Sequence, residues 1–113
     1  MLRAGRAFLY ETVDQAWDTA LRGRRLSWEQ RGLLWLAATQ AVTQALQAVD
    51  LTFRAGGASS IYLTSPLERC LRDIRTAAQH HCVTPSNYEI AGQLFLGFDP
   101  AGTFWGRDYR GDA

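Results

Sequence analysis

GGASSIYLTSPLERCLRDIRTAAQHHCVTPSNYE, residues 56–89, joins a glycine turn, a capped helix start and a histidine pair in fixed order. Ser65 can accept from first-turn amides, Pro66 gives up no hydrogen bond at the first helical position, and Glu68 completes a capping box. The spacing predicts a helix from Pro66 to about His81, with Leu67, Leu71, Ile74 and Ala78 forming one apolar stripe. Thr84 then caps a further helix with Pro85 at its first position. Val83 can staple onto Tyr88, and Ile90, Ala91, Leu94 and Phe95 carry that helix to Gly97.

Upstream, Ser27 and Gln30 form another capping box, which opens a helix from Trp28 to Arg54 that stops at Gly56-Gly57. Its inner face is a seam of Ala37, Ala41, Ala45 and Ala48 with Leu34 and Leu46 nearby, which lets a neighbouring helix approach closely. Before it, Leu2, Leu9, Val13, Ala16 and Ala20 recur at helical spacing up to Gly23. No capping signal precedes Leu2, so the expectation is a chain that begins inside a larger fold. No strand-like alternation survives beyond a few residues, and short connections follow the first and third helices. The expected fold is all-α, an up-and-down four-helix bundle over residues 1–97 with an extended tail over 98–113.

Composition narrows the functional classes. At 113 residues, with 47% hydrophobic side chains, there is room for one core. A net charge of +1 from 12 basic and 11 acidic residues gives no broad attraction to nucleic acid or anionic lipid. The apolar region from Leu33 to Val49 is broken by Thr39, Gln40, Thr43, Gln44 and Gln47, which argues against a membrane span, and residues 1–6 do not read as a secretory signal. If Cys70 and Cys82 share the third helix, their axial separation is roughly 18 Å, too far for a disulfide. Two unpaired thiols fit a reducing cytosol, so the expected location is cytoplasmic.

His80 and His81 are the candidates for chemistry. On one helix they project about 100° apart, a poor chelate, so no metal site is expected. Periodicity alone turns His81 toward the bundle and leaves both rings as structural or capping groups favoured by the helix dipole. The chain carries no dinucleotide fingerprint, P-loop, zinc-ligand spacing or Glu-x-x-His pair.

The Gly-Gly turn, Ser-Pro-Leu-Glu-Arg, Arg-Asp-Ile-Arg, Gln-His and Tyr-Glu-Ile-Ala-Gly in this order resemble the C-terminal helical domain of the acyl-CoA dehydrogenase superfamily. The similarity is closest to its flavin-dependent monooxygenase branch, that of the p-hydroxyphenylacetate hydroxylase and dibenzothiophene monooxygenase oxygenase components. The resemblance implies that His80 lies beside the reactive side of a flavin, FMN or FAD, where it positions substrate or hydrogen-bonds the oxygen species. It also implies that Gly56 and Gly57 approach the phosphate or adenine portion of a flavin bound mainly to another subunit, where Ser59 can add a hydroxyl donor to a phosphate. An imidazole suits the first task because it can donate or accept a proton near neutrality. A helix C-cap without a ligand would use the same glycines. Arg72, Asp73 and Arg75 match the superfamily's Arg-Asp segment, with an ion-pair network as their structural reading.

The dehydrogenase branch commonly places a catalytic Glu in a Glu-Gly-Thr sequence after the corresponding helix. Residues 81–85 here are His-Cys-Val-Thr-Pro, and Glu89 does not match that motif. The resemblance therefore implies oxygen insertion into a small organic substrate, with reduced flavin supplied by a separate flavin reductase, and a homo-oligomer, dimer or tetramer. It also implies that an N-terminal helical domain and a β domain carry most of the pocket, so the isolated chain is expected to be inactive. Two alternatives stay open: a stand-alone helical association module, and part of a true acyl-CoA dehydrogenase with a displaced base.

Overall fold

The structure, a computed structural model, describes residues 1–98. Among them lie four α-helices, α1 (Leu2–Leu21), α2 (Trp28–Ala55), α3 (Pro66–Ala77) and α4 (Ser86–Phe95). Two short 3-10 turns, Gly57–Ile61 and His81–Val83, flank α3, and no strand occurs among the described residues. The all-α, four-helix reading stands. The tail expected over 98–113 lies outside the described residues except for Phe98.

Helix α2 is the spine. Its 28 residues span about 42 Å, and every substantial contact between two α-helices among the described residues includes it. The result is an open arrangement, with a radius of gyration of 17.2 Å against about 13 Å for a compact chain of this length. The fully buried hydrophobic side chains among the described residues are Ala37 and Ala91, and the largest fully buried side chains are Asn87, Thr39 and Ser60. A centre this polar depends on satisfied hydrogen bonds more than on apolar volume.

The capping box that opens α2 forms as the sequence requires: Gln30 N–H donates to Ser27 Oγ at 3.1 Å and Ser27 N–H to Gln30 Oε1 at 3.0 Å. The α1 face differs from the expected one. Gly5 and Thr12 are buried, whereas Leu2 and Val13 are exposed. Thr12 tolerates burial because its hydroxyl donates back to the Phe8 and Leu9 carbonyls at 3.0 and 2.9 Å. Gly5 sits against Ala41 and Gln44 of the alanine seam, so small groups make the close approach and large ones are turned outward. Tyr10, Val13, Trp17 and Leu21 form an exposed stripe on the far side, with Trp17 65% exposed.

Two expected helix boundaries change. At the start of α3, Ser65 Oγ accepts from Leu67 N–H at 3.3 Å, but the Glu68 carboxylate turns to Arg72 at 3.5 Å, so no capping box forms. At its end, α3 stops at Ala77 instead of continuing to His81. Cys70 and Cys82 therefore do not share a helix, and the premise of their expected separation falls away; both remain free thiols. Helix α4 begins at Ser86 with Pro85 at the N-cap, and Thr84 supplies no side-chain cap to the backbone; its Oγ1 accepts from the Ser86 hydroxyl at 3.3 Å. Helix α4 is tied to α2 by the Tyr88 hydroxyl, which donates to Gln40 Oε1.

Candidate functional site

The segment between α3 and α4 concentrates the chain's reactive side chains. His80 has extended backbone angles, φ −67° and ψ 133°, and caps the 3-10 turn that follows: Cys82 N–H donates to its Nδ1 at 3.2 Å. With Nδ1 accepting, the proton of the neutral ring resides on Nε2. The exposed His80 thus offers a hydrogen-bond donor at its outer nitrogen.

The expected 100° divergence of the two histidines required a helix, and the helix has already ended. His80 and His81 stack instead, with centroids 4.6 Å apart and planes at 26°. His81 is exposed rather than turned toward the bundle, and its Nε2 lies 3.4 Å from Cys82 Sγ. Short turns, unlike helices, allow consecutive side chains to share one side.

What fixes this turn is Asn87. It is 0% exposed, and its Nδ2 donates to the Cys82 carbonyl at 2.8 Å and to Thr39 Oγ1 at 3.0 Å. Thr39, also fully buried, sits mid-way along α2, where its own carbonyl accepts from Thr43 Oγ1 at 2.8 Å. One amide group therefore links α4, the His-Cys turn and α2. The sequence reading missed both residues. The available signal was a side-chain amide in the first turn of α4 and a hydroxyl within an otherwise apolar stretch of α2.

The glycine turn lies at the other end of α3, so the 12 residues of that helix separate it from His80 by about 18 Å. The structure brings Gly56, Gly57 and Ser59 together and keeps His80 apart from them. Gly56 has helical φ of −71°, and a Cβ there would collide with the buried Ser60 Oγ and come within 2.7 Å of Leu67 Cδ1. Gly57 has φ of +63° and open space around its α-carbon. The Ser59 hydroxyl donates to the Gly56 carbonyl at 2.9 Å, which commits its proton locally.

These geometries separate two reasons for glycine. Gly56→Ala is expected to destabilise by about 2 kcal/mol through overpacking, and Gly57→Ala by about 1 kcal/mol through left-handed strain. Urea unfolding checks the order, and a costlier Gly57→Ala would contradict it.

In the Arg-Asp segment, Arg75 Nη2 bridges to Asp50 Oδ1 on α2 at 2.9 Å, while Arg69 and Asp73 pair along α3 at 3.5 Å. These are exposed ties between and along helices, each contributing a fraction of a kcal/mol.

The chain belongs to the family described as acyl-CoA dehydrogenase, C-terminal domain, which matches residues 1–85. It is 34% identical over 99 residues to an indole-3-acetate monooxygenase of Pseudomonas putida, covering 88% of this chain and 25% of that protein. A pigment production hydroxylase of Rhodococcus erythropolis is 34% identical over 103 residues, covering 89% of this chain and 26% of that protein. An indole-3-acetate monooxygenase of Acinetobacter baumannii is 26% identical over 99 residues, again 88% of this chain and 25% of that protein. The chain thus spans about a quarter of the length of the curated relatives it matches.

Proposed function

We propose that this chain is the helical domain of a flavin-dependent monooxygenase, in which His80 presents its Nε2–H to the oxygen chemistry at the flavin. The observation that carries the reading is the Cys82 N–H···Nδ1 bond, which makes the exposed ring of His80 a directed donor. The monooxygenase and hydroxylase relatives supply the class, and the absence of a Glu from residues 81–85 weighs against α-proton abstraction.

A flavin, FMN or FAD, is the cofactor this reading implies: His80 would hold a donor toward its reactive part, while the glycine turn, about 18 Å away, would offer open backbone at Gly57 to the phosphate or adenine portion of a flavin bound mainly to another subunit. Gly56 and Ser59 support that turn, the first by close packing and the second by its bond to the Gly56 carbonyl. Reduced flavin, when bound, supplies activation of dioxygen. His80 then holds a proton at Nε2 and orients an acceptor oxygen, and Asn87 keeps the turn from swinging away. The remaining walls, the small organic substrate and the reduced flavin from a separate reductase belong to the complete enzyme, in a cytoplasmic setting that suits the free Cys70 and Cys82. No described helix is long and apolar enough to cross a membrane.

The test is a chimera in which this chain replaces the matching quarter of the Pseudomonas putida enzyme. Hydroxylation of indole-3-acetate, dependent on reduced flavin, is the expected result. A chimera that assembles and binds flavin yet yields no product counts against the reading.

The exposed stripe of α1 favours a second role, association into a homo-oligomer, dimer or tetramer, because Trp17 and Leu21 are 65% and 69% exposed on one face. Light scattering of the chain is expected to give a mass above the 12.6 kDa monomer. A clean monomer would contradict it.

A further inference from the structure

The turn that presents His80 also gathers three metal-ligating side chains. One ligand atom each of His80, His81 and Cys82 lies within 4.8 Å of the other two. We propose that these residues form a binding site for a borderline divalent ion such as Zn²⁺, with two imidazoles and one thiolate as ligands and water completing the shell.

The donor set is the first argument. Imidazole and thiolate are the ligands that zinc prefers over water and carboxylate, and three protein ligands with an open position is an ordinary zinc arrangement. Distance is the second. Zn–S and Zn–N bonds at tetrahedral angles place sulfur and nitrogen about 3.5 Å apart. Cys82 Sγ and His81 Nε2 already stand at 3.4 Å. The His80 ring closes the remaining gap by rotating about its own side-chain torsions, which its exposure permits.

Preorganisation is the third argument. Metal sites gain affinity when outer groups fix the ligands, and here Asn87 pins the Cys82 carbonyl from the buried side. Without an ion the two rings already lie stacked on one side of the turn, so the His80 ring has a short way to travel. Both histidines are exposed and Cys82 is half-buried, so an ion has a path in.

Binding balances as a simple exchange: the Cys82 thiol loses its proton to solvent as a sulfur–metal bond forms, His81 coordinates through Nε2 with its ring proton on Nδ1, and His80 coordinates through Nδ1 with its proton kept on Nε2, the Cys82 N–H···Nδ1 bond being given up. Affinity therefore rises with pH, since protons compete for every ligand. An ion held here would turn the His80 ring out of the orientation that the Cys82 N–H gives it. The proposal concerns binding alone and stands or falls independently of the flavin reading.

The full chain, freed of any affinity tag and kept reduced with a phosphine, is titrated with Co²⁺ by absorption and with Zn²⁺ by calorimetry. One ion per chain is expected, with a thiolate-to-cobalt charge-transfer band. Loss of an outer-sphere partner alone commonly weakens metal sites 10–100-fold, so His81→Ala and Cys82→Ser are each expected to weaken binding by at least about tenfold. Cys70→Ser, on the body of α3, is expected to leave it unchanged. No saturable binding, or binding that survives Cys82→Ser, would overturn the site. Equal loss in Cys70→Ser would overturn it as well, since the thiolate would then not be that of the turn alone.

Discussion

Asn87→Leu is expected to destabilise the chain by about 3 kcal/mol, because it removes the amide N–H donors from a fully buried position and puts bulkier methyl groups in their place. The lost bonds include those to the Cys82 carbonyl at 2.8 Å and to Thr39 Oγ1 at 3.0 Å. At roughly 4–8 °C per kcal/mol for a domain of this size, the midpoint of thermal unfolding should fall on the order of 15 °C. Asn87→Asp separates hydrogen bonding from shape. It keeps the outline of the side chain but, ionised, faces the Cys82 carbonyl with acceptors only, so its cost should exceed that of Leu. Circular dichroism melts of the three proteins make the comparison. An Asp variant as stable as the parent would show that packing, not donation, holds the turn.

The importance of this amide follows from how little else is buried. With Ala37 and Ala91 as the fully buried hydrophobic residues among those described, the polar link of Asn87 to Thr39 occupies the place that a leucine cluster fills in a closed bundle. Burying a donor without a partner costs more than a made bond gains. The same link therefore stabilises the domain and fixes the position of His80.

The helix starts were legible because they rest on local chemistry. Ser27 and Gln30 satisfy each other's backbone within one turn, and Pro66 begins α3 without losing a donor. The end of α3 was not legible. Ala78, Gln79, His80 and His81 carry no helix-stopping signal, and what turns the chain there is a bond from Asn87 to Cys82 together with a contact to Thr39, 48 residues away in sequence. Apolar spacing also misassigned the face of α1. Gly5 and Thr12 pack inward because the alanine seam of α2 accepts small groups, a fact about the partner helix that the spacing within α1 does not contain.

The candidate site was legible in part. His80 stood out through its family register, and the structure adds the reason it can act as a donor: the Cys82 N–H that occupies Nδ1. The geometry of the pair was misjudged because helical projection was carried past a helix that stops at Ala77. That one boundary converts two diverging rings into a stack at 4.6 Å.

His80→Ala is expected to lower hydroxylation by roughly 10²–10³-fold in the chimera, the usual effect of removing a single directed donor from a site of developing charge. His80→Gln places an amide N–H near the former Nε2–H and should recover much of that loss if the proposed role, donation and not proton abstraction, holds. Flavin affinity should change little in either variant, since one hydrogen bond at the reactive edge is a small part of a cofactor's contacts. Uncoupling should rise in the Ala variant, with reduced flavin consumed and little product formed. The deciding measurement is hydroxylated product per reduced flavin oxidised, compared among the parent chimera, His80→Ala and His80→Gln. The expected result is a steep loss with Ala and recovery with Gln, and equal yield from all three would contradict a donor role for His80.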